Sequence, residues 1–137
     1  MNILDIALSQ YGITEIKGGN HNPEVVKYFS ECGFDQIRDD ETAWCSAFAN
    51  WVCMKAGRVR SGALNARSWT NVGQEVATPQ TGDVVVFWRE SKKSWKGHVA
   101  FYMSEDKNYY YVLGGNQSNH VCIKAYSKDR LLTIRRV

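Results

Sequence analysis

The hydrophobic period of this chain changes once, at Thr78-Pro79, and that change limits the available folds more than any other feature. Before it, apolar residues recur at spacings of three and four. After it they run in short β-branched and aromatic blocks. A chain that keeps helices in one half and strands in the other folds as α+β, with helices packed on an antiparallel sheet. Alternating βαβ units would need the two periods interleaved.

The helical half, about residues 1–75, divides at its caps and stops. Ile3, Ile6, Ala7 and Gln10 predict a helix over 2–10, ended by Gly12. Asn22 as cap and Pro23 in the first turn open a second, which carries Val25, Val26, Tyr28, Phe29 and Cys32 and stops at Gly33. A third is predicted over 43–56, with Asp40 and Thr42 as cap candidates, acids in its first turn and Gly57 as its stop. A short helix around Trp69 closes this half. In the sheet half, about 80–137, V-V-V-F-W after Gly82-Asp83 reads as a strand covered on both faces. Strands opening at His98, Tyr109, His120 and Leu131 follow, giving about five in a meander. The 137 residues read as one domain with no repeat, linker or low-complexity segment.

Charge and cysteine usage narrow the function classes. A net charge of +3 suits an anionic partner, but the basic residues are scattered and form no arginine-rich helix, which argues against nucleic acid. The four cysteines, Cys32, Cys45, Cys53 and Cys122, show no C-x-x-C spacing, so neither a metal nor a cofactor is expected and the thiols are read as reduced. The start of the chain lacks a basic n-region and a cleavage site, and no apolar run reaches membrane-spanning length. The expectation is a monomer made in the cytoplasm that does not insert into membranes.

Cys45 lies near the start of the third helix, where unpaired N–H groups and the dipole would lower a thiol pKa and favour thiolate. A buried inert cysteine is the plainer alternative. With the turn after the second strand centred near Asp106, His98 falls opposite roughly Gly114, one slip from Asn116. An amide there could hold one ring nitrogen and leave the other to face the thiol, a Cys–His–Asn set drawn from three segments. Gln117 and His120 are rivals of Asn116 for the third place. Each member also has a plain reading, His98 as a strand-end polar residue and Asn116 as a turn former.

The stretches D-E-T-A-W-C-S-A-F-A-N-W-V, G-D-V-V-V-F, G-H-V-A-F-Y and L-G-G-N-Q-S, in that order, resemble the NlpC/P60 and CHAP cysteine peptidases, most closely a compact phage-associated subgroup. The similarity runs from about Ala7 to Arg136. It implies a papain-like fold hydrolysing amide bonds of peptidoglycan, as an N-acetylmuramoyl-L-alanine amidase or a stem-peptide endopeptidase. On that resemblance Cys45 is the nucleophile, His98 the general base and Asn116 the residue that orients it. Trp44, Arg67, Trp69, Trp88 and Trp95 become candidate substrate-groove residues, with a core role the alternative for each tryptophan. Many CHAP domains carry an acid two residues before the terminal amide, and that position is Gly114 here. The acidic calcium loop of some CHAP lysins is also missing.

The resemblance places the chain as a phage endolysin that acts on the periplasmic wall once a holin has opened the membrane. An exported interbacterial amidase toxin paired with an immunity protein is one alternative, and a non-catalytic glycan-binding module is another.

Overall fold

A computed structural model describes residues 2–14, 22–34 and 44–137. The expected α+β architecture is present: among the described residues three α-helices precede a six-stranded antiparallel sheet. One of the predicted caps is made, and a second cap is formed by a residue not predicted as one. The Asn22 side chain accepts from the Glu24 N–H at 2.9 Å to open α2 (Pro23–Ser30), with Pro23 in the first turn. Asn2 does the same for the Asp5 N–H at 2.8 Å in α1 (Ile3–Ser9). The Tyr28 hydroxyl donates to Gln10 Oε1 at 2.9 Å, tying α2 to the end of α1 inside the core. Cys32 lies just past the end of α2, not on it.

α3 (Cys45–Lys55) departs from its predicted start. Its N-cap is Trp44, which makes no side-chain cap bond, and its first turn holds no acid. Asp40 and Thr42 lie outside the described residues. Every residue from Cys45 to Cys53 is buried. The helix therefore has no solvent face and is held on all sides by α1, α2 and the sheet.

The sheet runs β1 (Gln74–Glu75), β6 (Leu131–Arg136), β2 (Val84–Trp88), β3 (Gly97–Glu105), β4 (Tyr109–Gln117), β5 (His120–Ser127). The expected meander holds from β2 to β5, but β6 crosses back to the far side of β2. The cause lies in β2: Val84 to Phe87 are fully buried, so its backbone needs a hydrogen-bonded neighbour on both edges. β1 is a sixth strand of two exposed residues, too short to leave a period in the sequence.

Val84 and Val86 face the main core with α3, whereas Val85 and Phe87 join Tyr102, Tyr110 and Val112 in a second cluster on the other face. Tyr28, Phe48 and Trp51 meet edge-on in the main core, with ring centroids 5.1 and 5.2 Å from Tyr28. The predicted helix around Trp69 is a short 3₁₀ helix, Ala66–Asn71.

Two details at the end of β4 set the position of everything that follows. A Cβ at Gly115 would lie 2.7 Å from the Trp44 ring and 2.8 Å from Phe48 Cβ, so glycine lets the start of α3 sit directly on the strand. Beyond Gly114 the β4–β5 ladder shifts through a bulge and resumes at Gln117–His120. Ser118 and Asn119 close the hairpin with φ of 53° and 65°, the left-handed pair of a type I′ turn.

Candidate active site

Cys45 is the first residue of α3, so its own N–H and that of Ser46 have no partner within the helix. Both point at its thiol, together with the N–H of Val99, the residue after His98 on β3. The helix start and the histidine strand therefore meet at the sulfur. The expectation of a lowered thiol pKa is not met. Burial raises it, against the opposing pull of these three N–H groups and of Arg89. At neutral pH the resting side chain is a thiol.

His98 is 4% exposed and stacks on the Tyr126 ring, with centroids 4.7 Å apart and planes 15° from parallel. Its Nε2 lies 2.9 Å from Gln117 Oε1. The Gln117 amide nitrogen donates to the carbonyls of Val112 (3.1 Å) and Cys122 (2.6 Å), which turns the amide oxygen toward the ring. Nε2 must then carry the proton and donate, leaving Nδ1 as the basic nitrogen. Burial lowers the His98 pKa to about 4, with the Gln117 bond acting against it and Arg89 and Lys124 adding to it. Thiol and imidazole are both neutral at rest.

The amide that meets the His98 ring is therefore Gln117, the rival, and not Asn116. Phe101 pairs with Leu113, and extending that register brings His98 level with Asn116. The bulge intervenes. Asn116 sits at φ 59°, half-buried in the wall of the His98 cavity, and Gln117 is the residue turned onto the ring. His120 lies across the hairpin, its Nδ1 against the Ser118 carbonyl. Gly114 belongs to the same arrangement. A Cβ there would lie 2.8 Å from Gln117 Oε1 and 2.8 Å from Ala100 Cβ, so the glutamine amide fills the space a side chain at 114 would need.

Two cavities of about 240 Å³ lie here, one opening on Cys45 and the other on His98, with Arg89 lining both. Trp95, 73% exposed, lines the Cys45 cavity, and Trp88 lines the His98 cavity. Among the described residues no three His, Cys, Asp or Glu side chains come together as a metal site.

Comparison with known families adds to this geometry a match to the CHAP domain over residues 37–116, more than half of the chain. The chain belongs to the CHAP family. CHAP domains are as a family peptidoglycan hydrolases, and the match spans both Cys45 and His98. Among solved structures, one described as similar to a lipoprotein of the NLP/P60 family, from Staphylococcus aureus subsp. aureus Mu50, aligns with a TM-score of 0.55 and 24% identity. The alignment covers 97% of this chain and 39% of that one, and at this identity it shows a shared fold. Comparison with curated proteins returns no match.

Within this CHAP fold three of the expected groove residues have other duties. Trp44 and Trp69 are fully buried, and the Trp69 indole N–H donates to Ser46 Oγ at 2.9 Å, so neither lines a groove. Arg67 uses its guanidinium on the carbonyls of Lys96 (2.9 Å), Lys92 (2.7 Å) and Ser91 (2.8 Å). It shapes the loop that presents Trp95 and has no free fork for a carboxylate.

Other residues went unrecognised in the sequence. Asn50, fully buried on α3, donates to the Ser46 carbonyl at 2.9 Å and accepts from the Gly62 N–H at 2.8 Å. Ser46 Oγ donates to the Ala63 carbonyl at 2.7 Å. This network locks the 60–63 loop to the helix that carries Cys45. A polar pair four residues apart on an otherwise apolar helix was the available signal.

Proposed function

We propose that the chain is a cysteine-dependent hydrolase of peptidoglycan amide bonds, with Cys45 as nucleophile, His98 as general base and Gln117 as the positioning residue. The observation that carries this reading is the His98 ring, held by Gln117 in the tautomer that frees Nδ1, on the strand whose next N–H contacts the Cys45 thiol.

With both groups neutral at rest, the reaction begins by proton transfer as the substrate enters. Nδ1 takes the Sγ proton while sulfur attacks the amide carbonyl, and the carbonyl oxygen becomes an oxyanion near the first N–H groups of α3. The new imidazolium gives its proton to the departing amine, which breaks the C–N bond and leaves a thioester. Water, deprotonated by the same nitrogen, then attacks the thioester, and the thiol departs as the carboxylic acid forms. The Gln117 oxygen accepts from Nε2–H throughout and favours the imidazolium by its dipole, without the full charge of a carboxylate.

We further propose the setting of a phage endolysin, in which a holin gives access to the wall. The ordered motifs resembling the compact phage subgroup support it. A holin gene beside this one would support that setting, whereas an adjacent immunity gene would favour an exported amidase toxin.

Purified protein under reducing conditions should clear permeabilised Gram-negative cells or turbid peptidoglycan, and Cys45→Ala should not, with its circular dichroism unchanged. Clearing by Cys45→Ala at the wild-type rate would overturn the nucleophile assignment. Wild-type protein that binds peptidoglycan without releasing any fragment would return the non-catalytic reading.

A further inference from the structure

Gln117 holds the His98 ring by one edge, and Tyr126 covers one of its faces. Tyr126 belongs to β5 and His98 to β3, with β4 between them in the sheet. The contact therefore reaches across a strand and does not come from ladder pairing. In the ladders themselves Tyr126 pairs with Tyr110, and Phe87 pairs with His98. Tyr126 stacks on both members of that second pair. Its centroid lies 4.7 Å from that of His98 with planes 15° apart, and 4.9 Å from that of the fully buried Phe87 with planes 19° apart. A ring fixed on Phe87 gives the imidazole a firm surface. Tyr126 is also part of the wall of the His98 cavity.

A stacked ring touches only the face of the imidazole, so both nitrogens keep their in-plane roles, Nε2 toward Gln117 and Nδ1 toward the thiol. When Nδ1 takes a proton, the imidazole becomes a cation lying on a π face, at a separation where that attraction acts and in an enclosed place that strengthens it. The charged form needs such support. Burial disfavours it, the Arg89 and Lys124 charges disfavour it further, and the Gln117 bond acts the other way. The phenol itself stays neutral: burial pushes its pKa up to about 12, with Cys45 and Cys122 adding to the rise and Arg89 and Arg130 opposing it.

Resting on the hydrolase reading above, we propose that Tyr126 is a positioning residue for His98: its ring face fixes the plane of the imidazole and stabilises the imidazolium that forms when Nδ1 takes the Cys45 proton. Tyr126 acts through His98 and exchanges no proton itself.

The test compares variants that leave every charge near the site as it was, so the surrounding acids and bases cancel. On soluble muramoyl peptides Tyr126→Leu should lower kcat roughly tenfold with KM unchanged, and Tyr126→Phe, which restores the ring, should recover it to within about threefold. Tyr126→Met, equally without a π face, should match Tyr126→Leu, each compared at wild-type circular dichroism. A second readout needs no substrate. Iodoacetamide labelling of Cys45, followed by peptide mass spectrometry, should slow by a similar factor in Tyr126→Leu, because the thiolate forms as the imidazolium does. In a His98→Asn background Tyr126→Leu should leave that labelling rate unchanged. Labelling of Tyr126→Leu at the wild-type rate would overturn the inference and leave the hydrolase reading standing. An equal loss in Tyr126→Phe would overturn it too, by moving the role to the hydroxyl, as would an equal loss in the background without His98. A wild type that releases no fragment would overturn the hydrolase reading alone, because the labelling rates still decide the inference.

Discussion

Two buried amides, Asn50 on α3 and Gln117 on β4, sit on either side of the candidate site and have no solvent exposure. Asn50 is spent on the fold: its nitrogen reaches the Ser46 carbonyl, Ser61 Oγ and the Ala63 carbonyl, and its oxygen takes the Gly62 N–H and the Arg60 guanidinium. Gln117 commits only its nitrogen to backbone carbonyls and gives its oxygen to the His98 ring. Burial and saturation are alike in the two. What separates a structural amide from a positioning one is whether a partner can change protonation during a reaction.

That contrast can be broken experimentally, and the sharpest cut is at Cys45 itself. Cys45→Ala should lower turnover by about a thousandfold or more, while the thermal midpoint stays within a few degrees. Equal turnover in a peptidoglycan release assay would leave Gln117 no reaction to support.

The His98 ring provides the next largest effect. Its folded pKa of about 4 lies below the ordinary 6.5, so the folded state binds fewer protons between those values. Its stabilising contribution is therefore full above 6.5 and lost as pH falls through 4, by about 3 kcal/mol. Urea midpoints measured from pH 7.5 to 4 should show this slope in the wild type and a much flatter one in His98→Asn. Matching slopes would mean the ring is not buried as a neutral base. Activity should hold as pH falls through 6, because the base stays unprotonated.

Asn50→Ala should cost about 2 to 3 kcal/mol in stability, since it strands buried carbonyls and the Gly62 N–H. At a temperature where it is folded, kcat should stay near wild type. Gln117→Ala should show the opposite balance, with kcat down roughly thirtyfold, about 2 kcal/mol, and KM little changed. If both variants lose activity only in proportion to folded protein, the distinction between the amides fails.

Asn116→Gly should have the smallest effect. Glycine accepts the φ of 59° without strain, and activity should stay within about threefold of wild type. A thirtyfold loss here, with Gln117→Ala unaffected, would return the third role to Asn116.

Much of this molecule is legible before folding because it depends on near neighbours. The change of period at Thr78-Pro79, the Asn22-Pro23 helix start and the valine run of β2 act through local geometry and burial. Cys45 at a helix start and His98 near a strand start follow from the same kind of signal. The choice between Asn116 and Gln117 does not. It depends on a bulge and on two left-handed residues in the following turn, and a shift of one residue in a strand exchanges its faces.

The tryptophans and Arg67 show a second boundary. Trp69 and Trp95 are chemically the same, yet one is enclosed and bonded to Ser46 while the other stands at the mouth of the Cys45 cavity. An indole suits either place, and so does a guanidinium that can bond loop carbonyls as readily as a substrate carboxylate. The thiol pKa belongs here as well: a helix start lowers it locally, but enclosure by the sheet outweighs that. By itself the sequence determined the fold class, the Asn22 helix cap and the addresses of a thiol and an imidazole, because short-range sterics and periodicity govern these. Only the tertiary structure decided which amide holds the imidazole and which aromatic ring faces the cleft, because each depends on segments far apart in the chain.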